Sequence, residues 1–284
     1  MKFLKENRIA SFLVVTLVYV IATCLGIVTY TLLNFDWWLS LLIADIVATI
    51  VTFVFSLIFN NSSVYDPYWS VQPIVILIAF ATQNKLTLFA ILTLIVVLFW
   101  GVRLTANWAY TFLNLNHQDW RYTMLKEKTG MFYPLINFLG IHLVPTLVVY
   151  ACVLPGVYVI INEINANFLS VLFLLISLMA SIMQGVADIQ MHKFRKNKKT
   201  TFISLGLWKY SRHPNYLGEI LMWWGIALSL LCAMPSSWYL ILGAIINTAL
   251  FLFVSIPMAD KRQSQKDGFA EYKTRTRMLL PIKK

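Results

Sequence analysis

The chain has 284 residues, of which 59% are apolar, 15% aromatic and only 12% charged. Soluble domains carry about a quarter charged residues, and no hydrophilic block here is long enough to make one, so a soluble protein is excluded. The net charge of +11 invites a nucleic-acid reading, but Lys and Arg lie between apolar runs rather than along one face. That pattern belongs to a membrane protein, with no nucleic acid among its partners.

In chain order, Lys2, Lys5 and Arg8 precede an apolar run over 9–33. A signal peptide has a core of about 7–15 residues and a small-residue cleavage site. This run is longer and lacks such a site, so a retained first span is predicted. Further apolar segments follow at 37–59, 70–83, 86–113, 134–161, 167–190, 216–233 and 236–257. A span needs roughly 20 residues, so the short segment 70–83 is expected to be a short or re-entrant helix. The predicted fold class is therefore all-α, a polytopic transmembrane helical bundle of seven to eight spans. Eight crossings would put 21 of the 23 Lys and Arg on one face, with Lys85 opposite and Arg103 inside a span. The positive-inside rule makes that face, and both termini, cytoplasmic. The expected location is the bacterial cytoplasmic membrane. Cys24, Cys152 and Cys232 all lie in apolar runs without paired spacing, so neither a disulfide framework nor a metal site is expected.

Ionisable groups within spans are expensive and are candidates for function. Asp45 sits mid-span in LIADIVAT, and pairing with another helix is one reading of it. His142, beside Pro145, reads as a packing histidine. Arg103 follows LIVVLFWGV, too deep to snorkel, and should face a polar cavity or meet an anion. In MQGVADIQMHKFRK, Gln184, Asp188, His192 and Arg195 recur at i, i+4, i+8 and i+11, on one helical face. An amide, a carboxylate and cations together suit the hydroxyl, amide and phosphate groups of a nucleotide.

The stretch GLWKYSRHPNYLGEI, Gly206–Ile220, is the most distinctive. Pro214 predicts a helix start, because proline is tolerated in the first turn. Free backbone N–H groups there, beside Arg212 and His213, form an anion-binding end. Arg212, Asn215 and Glu219 make a polar stripe entering the membrane, where a carboxylate needs a cation or a ligand donor.

This segment resembles the C-terminal domain of the steroid 5α-reductases, shared with sterol reductases and isoprenylcysteine carboxyl methyltransferases. Four further elements are similar to bacterial relatives of the 5α-reductases: DPYWS (Asp66–Ser70), Trp100-x-x-Arg103-Leu104, ADIQMHKFR (Ala187–Arg195) and FAEYKTRTRMLLP (Phe269–Pro281). The resemblance covers the chain from about residue 60. It implies NADPH-dependent hydride transfer to a conjugated C=C of a lipophilic enone, steroid-like or isoprenoid, with an acid hydrogen-bonding the carbonyl. It implies cofactor contacts at Arg103, Gln184, Asp188, Arg195, Tyr210, Arg212, His213, Asn215, Tyr216 and Glu219. Arg195 and its neighbouring lysines would hold phosphate. It also implies one membrane domain over 1–284, with substrate-side elements in 1–115 and the cofactor-binding half in 116–284.

Trp100 stands where the steroid enzymes place a carbonyl-polarising tyrosine, and their Gln-Glu-Leu-Pro element is missing. Asp66 with Tyr122, or with Tyr65 or Tyr68, is the expected substitute, so Asp66 and Tyr122 are the candidate catalytic pair. The alternative is an S-adenosylmethionine-dependent membrane methyltransferase, which shares Arg-His-Pro-x-Tyr-x-Gly (Arg212–Gly218) but carries paired glutamates where this chain has PMADKR (Pro257–Arg262). A transporter or lipid-binding protein is a third class, disfavoured because no inverted repeat is evident.

Overall fold

The computed structural model describes residues 2–197 and 200–281. Lys198, Lys199, Lys283 and Lys284 of the basic segments lie outside the described residues. The described chain is helical throughout: α1 (Lys2–Glu6), α2 (Arg8–Leu32), α3 (Trp37–Phe59), α4 (Tyr68–Ala81), α5 (Leu88–Thr111), α6 (Trp120–Thr129), α7 (Tyr133–Ile136), α8 (Val144–Ile161), α9 (Phe168–Asn197), α10 (Pro214–Ala233), α11 (Leu242–Leu250), α12 (Ile256–Gln263) and α13 (Phe269–Arg275). Among the described residues, eight helical stretches are long and apolar enough to cross a membrane.

The short segment differs from expectation. A 3-10 turn over Ser62–Tyr65 precedes the 14-residue α4, and together they make an apolar helical stretch of 20 residues, Ser62–Ala81. Asn61 starts it, its side-chain oxygen accepting from the Ser63 N–H at 2.8 Å. The DPYWS element is thus folded into the span rather than leading up to it. Exposed side chains on α2, among them Leu13, Leu17, Val20 and Val28, are large and apolar. Such a surface suits lipid and not water.

The chain divides into two compact units. Unit 1 comprises 1–79 and 104–154; unit 2 comprises 80–103 and 155–284. In unit 1, α2 packs on α3, and Val15, Val18, Phe59, Val64, Phe112 and Leu115 form a buried core. The helix that should run unbroken over 134–161 instead loosens into a π-helical turn at Asn137–Leu143 before α8.

In unit 2, α9 is 30 residues long, about 45 Å at 1.5 Å per residue. A hydrocarbon core is about 30 Å thick, so the last turns of α9 project beyond it. Helix α10 starts at Pro214, as its sequence predicts. The two helices approach closely because glycines line the crossing. A Cβ on Gly218 would fall 2.7 Å from the Ala180 carbonyl oxygen, and one on Gly225 would fall 2.1 Å from Ser177 Oγ and 2.7 Å from the Phe173 carbonyl oxygen. Ser177 Oγ also donates to the Met222 carbonyl across the crossing, at 2.8 Å. Small residues that let backbones meet are a usual basis for helix association in lipid. Gly225→Ala should therefore part α9 and α10, costing about 1–3 kcal/mol. Thermal unfolding of the purified protein measures this, and an unchanged Tm would contradict the tight crossing.

Candidate functional site

Arg103 lies about two thirds of the way along α5, and its guanidinium reaches α9. Nη1 donates to Asp188 Oδ2 at 2.9 Å, and Nη2 donates to Gln184 Oε1. The aliphatic part of the side chain passes over Gly185, where a Cβ would come within 3.2 Å of Arg103 Cδ. The two charged side chains are only 14% and 16% exposed. The i, i+4 spacing of Gln184 and Asp188 thus turns both toward one cation.

Gln184 is a bridge. Its Nε2 donates to Glu219 Oε2 at 2.7 Å, and the same oxygen accepts from Trp100 Nε1 at 2.8 Å. The other oxygen, Oε1, accepts from Trp223 Nε1 at 2.8 Å. Glu219 is buried and receives three N–H donors from α5, α9 and α10. A carboxylate is acceptor-only, so this shell suits its charged form. Asp188 and Glu219 thus place two carboxyl groups in the polar cluster of Arg103. Arg103 Nε is buried with no hydrogen-bond partner among the described residues.

A second cluster sits before α10. The Arg212 Nη2 donates to Asp260 Oδ2 at 3.1 Å, and Nη1 donates to the Thr276 carbonyl at 2.6 Å. His213 Nε2 lies 2.9 Å from Asp260 Oδ1, and its ring stacks on Tyr216 at 5.2 Å. The Arg212 N–H donates to the Arg277 carbonyl at 2.9 Å, and Tyr272 Oη donates to the Trp208 carbonyl. Burial pushes the Tyr272 hydroxyl up to about 12, so it remains a donor at neutral pH. The loop is also fixed to α9. Gly206 adopts φ +62°, and a Cβ there would collide with the Gln190 side chain, whose Oε1 accepts from the Leu207 N–H at 2.9 Å. Arg212 therefore ties 206–213 to the segment after α13, and its Nε is buried without a partner among the described residues. Arg195 and Tyr210 are exposed, and Asn215 is half-buried in the first turn of α10.

Unit 1 brings the Asp66 and Tyr122 pair together: Tyr122 Oη donates to Asp66 Oδ1 at 2.6 Å. Two loops are stitched to make this possible. The Asn61 Nδ2 donates to the Leu115 carbonyl at 2.6 Å, Gln118 Oε1 accepts from the Ser62 N–H at 2.9 Å, and Asp119 caps α6 by accepting from the Arg121 N–H at 2.9 Å. Tyr65 and Tyr68 go elsewhere. Tyr68 Oη donates to Asp45 Oδ1 at 2.9 Å, and Gln72 Nε2 donates to Asp45 Oδ2 at 2.5 Å. Tyr65 Oη is 2.8 Å from Thr146 Oγ1, which is 3.0 Å from Thr49 Oγ1, which donates to the Asp45 carbonyl at 2.8 Å.

Trp223 and Asp260 were not among the expected site residues. Trp223 had a signal, standing four residues after Glu219 on the same helix. Asp260 had only its acidity in an otherwise basic PMADKR. Among the described residues no group of three or more His, Cys, Asp or Glu is arranged to hold a metal.

Removing one partner of a buried ion pair costs about 3–5 kcal/mol, while replacing both by apolar residues costs far less. Asp188→Ala should therefore lower the Tm more than the double substitution Arg103→Met with Asp188→Leu. Equal losses in the two variants would show that the pair carries no buried charge.

Against this geometry stands one family match: a family described as "Protein of unknown function (DUF1295)" matches residues 52–276. The matched range holds all of the site residues above except Asp45, Thr49 and Arg277. No curated protein and no solved structure matches the chain significantly. Since the match spans most of the sequence, the chain belongs to the DUF1295 family.

Proposed function

We propose that this is a membrane oxidoreductase that transfers hydride from NADPH to a conjugated C=C of a lipophilic enone, steroid-like or isoprenoid. The observation that carries the proposal is the buried Arg103–Asp188–Gln184–Glu219 cluster, on residue types and spacing that resemble a reductase cofactor site. The residues present fit NADPH. Two buried guanidinium N–H groups, on Arg103 and Arg212, lack partners among the described residues, and Lys193, Arg195 and Lys196 expose cations at the end of α9. Buried donors suit the amide and hydroxyl groups of a dinucleotide, and exposed guanidinium suits its phosphates.

Roles follow unit by unit. In unit 2, Arg103, Gln184, Asp188 and Glu219 form a rigid polar floor, with Asn215 and Tyr216 at the start of α10. Arg195 would hold the 2′-phosphate. Arg212, His213 and Asp260 hold the loop that carries Tyr210. NADPH supplies the hydride when bound. In unit 1, Asp66 and Tyr122 act on the substrate carbonyl. Tyr122 can give its proton to only one acceptor, so donation to a carbonyl requires Asp66 to be protonated and to donate in turn to the Tyr122 oxygen. The pair would then stabilise the negative charge that hydride addition at the β-carbon places on the carbonyl oxygen, and the resulting enolate would take its α-carbon proton from water. The basic loops and both termini face the cytoplasm of a bacterial cell in this reading.

Paired titrations with NADPH and S-adenosylmethionine test it. The protein should bind NADPH, and Arg195→Ala should weaken that binding about tenfold to a hundredfold, as expected for charge-assisted hydrogen bonds of about 1.5–3 kcal/mol. NADH binding should change little. Binding of S-adenosylmethionine without NADPH would instead establish the methyltransferase. Once a substrate is found, Tyr122→Phe should lower kcat about 10²–10³-fold, as for loss of one oxyanion donor, and leave the NADPH Kd unchanged.

A further inference from the structure

Asp45 lies well inside α3 and is only 5% exposed. Its carboxyl group has two hydrogen-bond partners, Tyr68 Oη at 2.9 Å from Oδ1 and Gln72 Nε2 at 2.5 Å from Oδ2. A carboxylate presents about four lone-pair sites and can only accept. About half of them go unmet here. Glu219, by contrast, receives three N–H donors, and the amide that gives one of them is itself bonded to Arg103.

No cation offsets the missing donors. None of the ion pairs among the described residues includes Asp45. The titratable groups on the elements around it are Tyr19 of α2, Tyr65 of the 3-10 turn, His142 of the π-turn and Tyr150 of α8. Tyr19 Oη donates to the Val64 carbonyl at 2.8 Å, Tyr65 Oη is bonded to Thr146, and Tyr150 Oη donates to the Trp38 carbonyl at 2.5 Å. His142 turns Nδ1 to the Asn137 carbonyl at 3.0 Å, among the rings of Phe53 and Tyr65. Asp66, bonded to Tyr122, is a like charge that would add only repulsion. A carboxylate placed so bears the cost of a bare charge in a membrane span, and the neutral acid does not.

The same heavy atoms serve the neutral acid without moving. Tyr68 Oη is 2.9 Å from Asp45 Oδ1 and 3.5 Å from the backbone carbonyl oxygen of Asp45. A hydroxyl group both donates and accepts. With a hydrogen on Oδ1, the acid donates to Tyr68 Oη, and Tyr68 turns its own hydrogen from the carboxyl group to that backbone carbonyl. Oδ2 is then the C=O oxygen and keeps the N–H of Gln72. Every hydrogen in the set has an acceptor, and the hydroxyl of the acid uses a lone pair that the carboxylate form leaves idle on Tyr68.

We infer that Asp45 is a proton-binding site, its carboxyl group holding a hydrogen on Oδ1 at neutral pH, with Tyr68 as the acceptor that reverses when the proton comes or goes. The proton is taken from water, and Gln72 holds Oδ2 in both states. This goes beyond the reductase reading and does not depend on it, since that reaction is assigned to Asp66 and Tyr122. Asparagine copies the neutral acid in shape and in donor pattern. Its amide nitrogen gives a hydrogen to Tyr68 Oη, and its oxygen accepts from Gln72.

Infrared spectroscopy of the full chain in lipid nanodiscs tests this. A protonated carboxyl group absorbs at higher frequency than the amide and carboxylate bands, so it is read without overlap. The difference spectrum between wild type and Asp45→Asn at neutral pH should contain such a band, which should move down after exchange into heavy water. Tyr68→Phe removes the acceptor of the acid hydrogen and should move the same band to higher frequency. Asp45→Asn should keep the wild-type Tm, whereas Asp45→Leu, which leaves Tyr68 and Gln72 without their partner, should lower it. A difference spectrum that holds only carboxylate bands overturns the inference. So does a wild-type Tm that rises with sodium ions while that of Asp45→Asn does not, which would make this a metal-cation site. Should Asp45→Asn fail to fold, the comparison of wild type with Tyr68→Phe decides, and spectra identical in the protonated-carboxyl region overturn the inference.

Discussion

A guanidinium cannot be left alone in a helix that otherwise reads LIVVLFWGV. Arg103 is the charge around which the polar cluster of unit 2 is arranged, because the apolar run that precedes it on α5 supplies no anion. Compensation has to come from another helix, and α9 supplies it twice, through Asp188 and Gln184. Gln184 then passes the constraint on, since its amide nitrogen needs an acceptor and finds Glu219 on α10. Glu219 in turn draws in the two indoles, Trp100 and Trp223. The close approach of α9 and α10 that this requires is allowed by Gly218 and Gly225. Polar satisfaction and backbone packing thus specify the same crossing, a consistency expected of a sequence with one preferred fold.

The cost of buried carboxylates is met in two ways, by guanidinium groups or by neutral donors, and Glu219 of unit 2 shares the second with Asp45 of unit 1. In unit 2, Asp188 and Asp260 are paired with guanidinium groups. In unit 1, Asp45 has neutral donors only, a phenol from Tyr68 and an amide from Gln72. An unpaired charge within a membrane span is expensive, and neutral donors offset part of that penalty without bringing a second charge into lipid. Arg212 shows a further use of charge. Its guanidinium and backbone hold the loop before α10 against the segment after α13, so this residue ahead of α10 is a structural clasp.

Much of this was legible in the sequence. Apolar runs gave the helices and Pro214 the start of α10, because hydropathy and proline act locally. The i, i+4 spacing of Gln184 and Asp188 places both on one face, and the depth of Arg103 calls for either a polar cavity or an anion. What spacing could not say was which anion it would meet, since that depends on how α5 crosses α9. Asp260 was invisible for the same reason, lying 48 residues from Arg212 with no shared periodicity. Trp100 was read as the loss of a tyrosine hydroxyl, yet an indole N–H is also a donor and is turned to Glu219. The short third segment misled because a 3-10 turn lengthens α4, and 3-10 turns have no strong apolar period. The π-turn was hidden within a smooth apolar run whose helical period could not reveal an extra residue.

The hydroxyl row from Tyr65 through Thr146 and Thr49 ends on a backbone carbonyl, that of Asp45. A carbonyl oxygen has no hydrogen to give, so Thr49 must donate to it. Thr146 must then donate to Thr49, and Tyr65 to Thr146. Three rotors that could each point either way are therefore locked into a single sense. Their bond dipoles add head to tail and polarise one another. The row behaves as one electrical element, with its positive end at Asp45 and its negative end on the phenolic oxygen of Tyr65. That oxygen lies on the ring packed against His142, so the row sets a fixed polarity within the apolar interior of unit 1.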